Sequence, residues 1–422
     1  EPERTVTETK DGTVIEYGDY TVDPDVQVTK PEPAPEAAAP AEKAAEPEDE
    51  TVTYEAPAEE NTSVVSSVVE NVVKIVNNCT DTLNIILRNL KVDAGSSTED
   101  AMNITGKGDV TLELDGKNEL TGGSGVKMDK GNDHKIVSDG LGSTDLGGTL
   151  TITGSGNSDA SLITKGADSP EDSSSFVKPG DGLNANNLVI EDASVTAIGG
   201  NRFDHDIYIG YSGDGLSATD LTITGSTVTA KGGNSLCYAG TGVSADVLSM
   251  TGSSLSAVGG SVSNSTGDFS DGGIGLNIGN YDGLKSNISD SHISAIGGNC
   301  SGSGKNVEGG VGVYFFGTVA DGYLIDHVTL LAQGGNAQAS GSGNAKGGEG
   351  IYRNSGEITI SDSAVTVAGG NAVSESGTAT GGGGYYNNTN YYTSNNDVHL
   401  VSGSLTAVGG SGSSKNGSSF DI

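Results

Sequence analysis

The stretch DGLNANNLVIEDASVTAIGGN at Asp181–Asn201 contains two short alternating runs that are joined by a tight turn and closed by Gly-Gly. Later segments repeat this unit when they are aligned on Gly-Gly: LTITGSTVTAKGGN from Leu221, LSMTGSSLSAVGGS from Leu248, SNISDSHISAIGGN from Ser286, YLIDHVTLLAQGGN from Tyr323, ITISDSAVTVAGGN from Ile358 and VHLVSGSLTAVGGS from Val398. A period of one solenoid coil plus a variable loop is typical of a repeat architecture.

Apolar residues recur at every second position of each unit, which in an extended chain places them on one side. Four columns follow from the alignment. They are Val195, Val228, Leu255, Ile293, Leu330, Val365 and Leu405; Ala197, Ala230, Ala257, Ala295, Ala332, Val367 and Ala407; Ile190, Ile223, Met250, Ile288, Ile325, Ile360 and Leu400; and, less regularly, Leu188, Leu221, Leu248, Tyr323, Ile358 and Val398.

Such columns are expected when coils stack at roughly 4.8 Å and each coil buries a face that it could not bury alone. A third extended run, such as GVGVYFFG from Gly310, separates each Gly-Gly from the next unit. The sequence therefore predicts an all-β fold, a right-handed parallel β-helix that forms a three-faced solenoid.

The amino-acid composition and net charge exclude several classes of function. The 422 residues include 67 glycines and only 33% apolar residues, which suits the thin core of a single long solenoid. The formal charge of −35 argues against nucleic acid as a partner, because phosphate backbones require a basic patch. No run approaches eighteen apolar residues, so we expect no membrane insertion. The charge favours a cation or a neutral ligand.

Three regions are predicted along the chain. Residues 1–60 contain 18 acidic and 4 basic residues in a Pro/Ala/Glu-rich context, which predicts a disordered spacer, with a local strand pair around residues 12–28 left open. Residues 61–82 form an N-terminal cap, either a helix or a first strand. Residues 83–422 form the β-helix. Because the chain begins at Glu1 without a signal peptide, we expect a mature or trimmed form, and export is an inference.

The unit boundaries give two further expectations. Asn201, Asn234, Asn299, Asn336 and Asn371 each follow Gly-Gly and are expected to satisfy backbone groups at a corner. Gly/Ser-rich loops at residues 261–273, 337–350 and 371–384 are interpreted as insertions that leave from this corner, so that one edge of the solenoid is its binding face. Cys79, Cys237 and Cys300 are expected to be isolated thiols.

Aspartates recur at one corner. Asp181, Asp214, Asp282 and Asp321 each precede Gly and then Leu or Tyr. Stacked carboxylates about 5 Å apart repel each other by roughly 1 kcal/mol in water. Calcium, which accepts six to eight oxygen ligands in flexible geometry, would relieve this repulsion. The alternative is that aspartate simply favours turns and accepts hydrogen bonds from backbone N–H groups.

Tyrosines concentrate in the third run and its loops. An exposed aromatic ring can stack on a sugar and donate a hydrogen bond to it, whereas aromatic stacks can also fill a solenoid core. The candidate ligand-binding residues are Tyr208, Tyr211, Tyr281, Tyr314, Tyr352, Tyr385 and Tyr386.

One dense cluster of ionisable residues, Arg202, Asp204, His205 and Asp206, lies in NRFDHD after a Gly-Gly. Arginine beside carboxylates and histidine is what a polysaccharide lyase or hydrolase would need. These four are the catalytic candidates.

The succession DVTLELDGKNELTGG from Asp109, GTLTITGSGN from Gly148 and DGLNANNLVIEDASVTAIGG from Asp181 resembles the clostridial cellulose- and pectin-binding β-helix proteins, calcium-binding carbohydrate-binding domains related in fold to polysaccharide lyases. The resemblance covers roughly residues 80–300. It implies sugar binding with Ca²⁺ as the cofactor.

The expected function is therefore non-catalytic binding of a polysaccharide or host glycan by an extracellular protein, either secreted or on a bacterial cell surface. One alternative is a surface adhesin or structural β-helix whose partner is a host surface protein. The other is a polysaccharide lyase.

Overall fold

The computed structural model describes residues 4–9, 12–17, 62–69, 72–128, 135–170, 177–203, 211–280, 285–317, 322–354, 356–388 and 398–421. Every regular element in these ranges is a β-strand, and nearly all strand pairs are parallel and in register. No helix in these ranges is long and apolar enough to cross a membrane. The prediction of an all-β parallel solenoid is confirmed.

Each coil passes through three faces. In the opening unit, residues 183–185 lie on face three, residues 187–191 lie on face one and residues 194–198 lie on face two. Face one consists of strands that stack coil on coil: Thr62–Val69, Leu83–Asp93, Val110–Asp115, Thr149–Gly154, Leu183–Glu191, Leu216–Thr224, Val243–Thr251, Ser286–Ser289, Gly322–Asp326, Glu357–Ser361 and Val398–Leu400.

Faces one and two meet at a turn that requires a left-handed backbone. Its residue has φ of 48° at Asp192, 59° at Gly225, 54° at His327 and 44° at Asp362. Aspartate and glycine tolerate this conformation best, which explains why they recur there. Face two follows with Lys117–Thr121, Ser161–Lys165, Ser194–Ile198, Thr227–Lys231, Ser254–Val258, His292–Ile296, Thr329–Gln333, Ser363–Ala368 and Gly403–Val408.

Face three carries the shorter runs that precede each unit. Its own strands are Gly12–Tyr17, Val72–Asn77, Met102–Gly106, Leu141–Ser143, Leu276–Asn280, Val313–Gly317, Ile351–Arg353, Tyr385–Asn387 and Phe420–Asp421, and the first residues of the strands at 183, 216 and 243 continue it. The predicted inward columns are buried: Val195, Leu255 and Val365 are each 1% exposed. In the last unit Leu400 is 49% exposed.

The N-terminal part adds strands to this stack. Thr62–Val69 pairs in parallel with the strand from Leu83, and Val72–Asn77 pairs with Met102–Gly106, so the region predicted as a cap is built from strands rather than a helix. Within the acidic segment, Arg4–Thr9 and Gly12–Tyr17 form an antiparallel hairpin that pairs with Val72–Asn77. The rest of residues 1–60 lies outside the described residues.

The Gly/Ser-rich loops at residues 261–273, 337–350 and 371–384 are not irregular insertions. Together with the excursion between the strands at 292 and 313, they form two additional parallel sheets, which we call the side lobe. One sheet contains Val262–Ser265, Cys300–Gly302, Ala337–Ala339 and Ala372–Ser374; the other contains Phe269–Asp271, Asn306–Glu308, Asn344–Lys346 and Ala379–Thr380. A small core of Ala, Val and Cys residues lies between them.

Two columns of glycine connect the side lobe to the solenoid, and we call them the glycine neck. The chain leaves through Gly233, Gly260 and Gly298 and returns through Gly240 and Gly273. Each column donates backbone hydrogen bonds to the other, for example Gly260 N to Gly240 O at 2.9 Å and Gly273 N to Gly260 O at 2.9 Å. A Cβ atom on these residues would overlap the carbonyl oxygen of the preceding glycine in the same column, as at Gly298, where it would meet the oxygen of Gly260. Two backbones can approach this closely only without side chains.

The predicted asparagine ladder is present at the exit corner. The Oδ1 of Asn201 accepts from the N–H of Asn234 at 2.9 Å, and Asn336 accepts from Asn371 at 2.8 Å. Nearer the N-terminus, a smaller sheet of Lys127–Met128, Lys135–Ile136 and Val177–Lys178 occupies the side-lobe position. No described cysteine forms a disulfide.

Candidate functional site

The structure places eight of the predicted site residues, which are Arg202, Tyr211, Tyr314, Tyr352, Tyr385, Tyr386, Asp181 and Asp214. The other seven, Asp204, His205, Asp206, Tyr208, Tyr281, Asp282 and Asp321, lie outside the described residues.

Three of the tyrosines form a column on the outer surface of face three. Tyr314, Tyr352 and Tyr386 occupy the same register in three successive coils, and we call them the tyrosine column. Their neighbours Val313 and Ile351 point into the core, so strand alternation turns the tyrosines outward. The ring centroids are 5.1 Å apart between Tyr314 and Tyr352 and 5.0 Å apart between Tyr352 and Tyr386. The column therefore repeats with the coil spacing.

Polar and aromatic groups border the tyrosine column. Phe316 stacks on Tyr314 with centroids 5.9 Å apart, and Asn388 Nδ2 donates to the Tyr352 hydroxyl at 2.8 Å. On the side-lobe side, Glu349 forms an ion pair with Lys346 at 2.8 Å. Partial burial raises the pKa of Tyr352, so its hydroxyl stays protonated and can donate a hydrogen bond near neutral pH. The surface combines aromatic rings with hydrogen-bonding groups.

Tyr385 belongs to the core instead of the outer surface of face three. It is 4% exposed, aligns with Ile351, and packs on Phe420 with centroids 5.9 Å apart. Burial raises its pKa to about 12. Because Tyr385 and Tyr386 are adjacent in a strand, only one of them can face outward. The core-filling alternative applies to Tyr385.

Tyr211 lies apart from the tyrosine column. Its side chain is 61% exposed and meets Tyr238 edge to face at 5.6 Å. Partial burial, followed by the charges of Asp271 and Asp214, raises the pKa of Tyr211. It forms a separate aromatic pair near the side lobe.

Asp181 and Asp214 belong to a stack that begins two coils earlier, and we call Asp100, Asp139, Asp181 and Asp214 the aspartate ladder. Each carboxylate accepts a hydrogen bond from the backbone N–H of the next coil. Asp100 accepts from Asp139 at 2.9 Å, Asp139 from Asp181 at 2.6 Å and Asp181 from Asp214 at 2.7 Å. This is the backbone-satisfying role that the sequence left open beside calcium binding.

Burial and mutual repulsion shift the ladder's titration. Burial, followed by the charge of Asp181, raises the pKa of Asp214 to about 7. The same causes, with the charge of Asp100, raise the pKa of Asp139 well above its ordinary value. Lys178, 3.6 Å from Asp181, compensates part of this charge.

The positions of the carboxylate oxygens do not form a compact set of calcium ligands at this ladder. Among the described residues, the one group of three His, Cys, Asp or Glu side chains whose ligand atoms lie within 4.8 Å of one another is Asp326, His327 and Asp362, at the exposed turn between faces one and two. Asp181 and Asp214 are not part of such a group. One oxygen of each carboxylate is engaged by a backbone N–H, so calcium here stays a prediction.

Arg202 is a buried residue. Its side chain is 1% exposed, and its backbone N–H donates to Asn234 O at 2.8 Å. A base that attacks a polymeric substrate must reach it within hydrogen-bond distance. The burial of Arg202 weighs against the lyase alternative.

The outward column of face three continues beyond the tyrosines, and sequence reasoning missed this. Its members in the earlier coils are Asn103, Gly142, Asn184, Ser217, Ser244 and Asn277. The usable signal was the offset from the returning glycines, since Asn184 lies four residues after Gly180 and Tyr352 lies four residues after Gly348. Sequence reasoning used the first Gly-Gly alone.

No protein-family model, curated protein or solved structure matches this chain, so the resemblance to the clostridial carbohydrate-binding domains stays a prediction.

Proposed function

We propose that this protein is an extracellular, non-catalytic carbohydrate-binding solenoid that holds an extended glycan along the tyrosine column. The observation that carries the proposal is the regular spacing of Tyr314, Tyr352 and Tyr386 at 5.0 to 5.1 Å on an outward face. This spacing is close to the length of one pyranose ring in an extended chain.

The physical basis is a combination of ring stacking and hydrogen bonding. The exposed parts of the rings can cover the C–H face of a pyranose, while the tyrosine hydroxyls can exchange hydrogen bonds with sugar hydroxyls. The rings are half-buried against one another, so little side-chain entropy is lost on binding. The glycan would run parallel to the solenoid axis.

Charge restricts the glycan class. The chain carries −35 overall, and Glu308 and Glu349 flank Lys346 beside the column. Repulsion disfavours polyuronates and sulfated glycans unless a cation bridges the two charges. A neutral polysaccharide is therefore the favoured ligand.

The test is affinity electrophoresis and calorimetry with neutral polysaccharides, polygalacturonate and mucin glycans, each with calcium and with a chelator. Tyr352→Ala, at the centre of the column, should weaken binding by about tenfold or more, which corresponds to about 1.4 kcal/mol. Phe269→Ala is the matched control, because Phe269 is an aromatic residue of the side lobe that is 58% exposed.

Unchanged binding in Tyr352→Ala, with normal folding, would contradict the proposed surface. Failure of the intact protein to bind any of these glycans would favour the protein-binding adhesin instead. Loss of binding in the chelator alone would assign a bridging role to calcium.

A further inference from the structure

A cavity of about 540 Å³ lies on face three in the N-terminal half of the molecule. It opens between outward residues of face three and the small sheet that contains Lys127, Ile136 and Lys178. Its volume falls in the range of sites that bind small molecules. The tyrosine column lies several coils away along the same face, so the two surfaces are distinct.

The cavity wall carries more negative than positive charge. Glu99, Asp100, Asp139 and Asp145 contribute carboxylates, whereas Lys127 and Lys178 contribute the cations. These cations are already committed in part. Lys178 lies 3.6 Å from Asp181, and the positive charge of Lys127 offsets part of the rise in the pKa of Asp100. Glu99 has its own partner, since it lies 3.7 Å from Lys74.

Among the described residues Asp139 forms no ion pair within 4.0 Å, and the charge of Lys178 acts on it from a greater distance than on Asp181. It stands between Asp100 and Asp181 in the aspartate ladder, and both repel it. Its Oδ1 accepts from the Asp181 N–H at 2.6 Å, and its Oδ2 accepts from Asn184 Nδ2 at 3.3 Å. A partly buried carboxylate that faces two others gains most from a positively charged hydrogen-bond donor.

Amide groups lie beside the carboxylates. Asn103 Nδ2 donates to Asp100 Oδ2 at 3.0 Å, and Asn184 Nδ2 also donates to Asp181 Oδ2 at 3.1 Å. Paired carboxylates and amides can accept from one hydroxyl and donate to its neighbour, as adjacent sugar hydroxyls require. Val137 and Pro179 supply apolar surface to the same wall.

We propose that this cavity is a second ligand site and binds an amino sugar, with the ammonium group on Asp139 and the ring hydroxyls on Asn103 and Asn184. The ammonium donates to the carboxylate in a charge-assisted hydrogen bond and reduces the repulsion within the ladder. This inference does not depend on the tyrosine column.

The experiment is calorimetric or ligand-observed NMR titration of the full chain with methyl glucosaminide, methyl N-acetylglucosaminide and methyl glucoside, at a pH where the amine is protonated. These probes share the ring and differ in the charged group. Methyl glucosaminide should bind at least tenfold more tightly than the other two.

Asp139→Asn should remove this preference, because it keeps an acceptor for the Asp181 N–H and deletes the charge. The matched control is Asp220→Asn, which changes an exposed aspartate on face one. Tyr352→Ala should leave the binding of methyl glucosaminide unchanged. Asn184→Ala, with folding checked by circular dichroism, should weaken the binding of all three sugars.

Equal affinity for the three sugars, or no binding of any, would overturn the proposal. So would full retention of the preference in Asp139→Asn. A different result would be that millimolar Ca²⁺ displaces methyl glucosaminide and itself binds in a way that Asp139→Asn abolishes. In that case the cavity would be a metal site, and the amino-sugar assignment would be wrong. If Tyr352→Ala left polysaccharide binding unchanged, that result would contradict the proposed role of the tyrosine column and would not bear on the cavity.

Discussion

The solenoid body and the side lobe stack their coils by different means. The body has a continuous core of Val, Ile and Leu columns, in which residues such as Val228 and Ile190 are fully buried. The core of the side lobe consists of nine residues, mostly alanine, with Val262 and Val307 as its largest aliphatic members. The lobe buries too little apolar surface to order its own backbone. Its regularity must come from the body.

The glycine neck and the asparagine ladder transmit that regularity. The neck's hydrogen bonds join the outgoing and returning chains of successive coils, and the ladder fixes the first residue beyond the neck. The comparison teaches that hydrophobic burial sets the register in the body, whereas backbone hydrogen bonding carries it into the lobe.

The strongest test of this comparison is to close the neck with one methyl group. Gly298→Ala would place Cβ against the Gly260 carbonyl oxygen. Both atoms are held rigidly by the backbone, so neither can move aside without shifting a coil. We expect a loss of more than about 4 kcal/mol or a failure to fold, measured by chemical denaturation. Gly322→Ala, where Cβ meets no atom closer than 3.8 Å, is the control. Equal stability of the two variants would show that the neck can widen.

Truncation of one core residue in each region compares the two cores directly. Leu255→Ala in the body should cost about 2–5 kcal/mol because it leaves a cavity between coils. Val307→Ala in the side lobe removes two methyl groups and should cost about 1–2 kcal/mol. Both residues are 1% exposed, so exposure does not account for the difference. Equal losses in a urea titration would mean that the lobe contributes as much as the body.

The aspartate ladder gives the body a pH dependence. The folded pKa of Asp214 is about 7, above the ordinary value of 3.8. The folded state therefore holds a proton that the unfolded state releases, and the unfolding free energy should fall as pH rises from about 4 to about 7.

Asp214→Asn should flatten this dependence, because the amide does not titrate. The measurement is the urea midpoint at several pH values, with Asp220→Asn as the control. A fall in Asp214→Asn as steep as in the unmodified protein would contradict the assignment.

The smallest expected effect is on the asparagine ladder. Asn336→Ala removes the acceptor of the Asn371 N–H and should cost about 1 kcal/mol. Asn336→Ser should cost less, because serine occupies the corresponding position at Ser261 and Ser411. The thermal midpoints of the two variants would rank them, and a larger loss with serine than with alanine would exclude a hydrogen-bonding role.

The sequence predicted the body well because its apolar residues are large and alternate regularly. The column through Val195 and Leu255 was read directly from period two, and the asparagine corner from its position after Gly-Gly. The side lobe was missed because Ala337, Ala345 and Ala372 carry too little hydrophobic signal among Gly and Ser. The second glycine pair, which closes each excursion, was the available clue.

The candidate site was predictable only in part. Strand alternation predicts that Tyr385 and Tyr386 point to opposite sides. Which of the two points outward depends on the register with the neighbouring coils, because a strand of three residues is too short to show its own pattern. Asp100 was missed because it precedes Ala101 instead of glycine. Asp139 precedes Gly140 and Leu141 and so matches the Asp-Gly-Leu pattern, but its coil departs from the repeat elsewhere and was left out of the alignment. The cavity depends on contacts between residues more than thirty positions apart, which no local pattern reports.

The glycine neck also governs how such a chain can change length in evolution or by design. Each coil from Gly200 onward leaves and returns through glycines in contact with those of the neighbouring coils, so insertion or deletion of part of a unit would misalign the glycine neck. Whole units are exchangeable in principle: excision of Asn234–Gly260 would join Gly233 to Ser261 and bring equivalent positions together. The molecule is thus modular, and we expect its length and the number of outward positions on face three to change by one unit at a time.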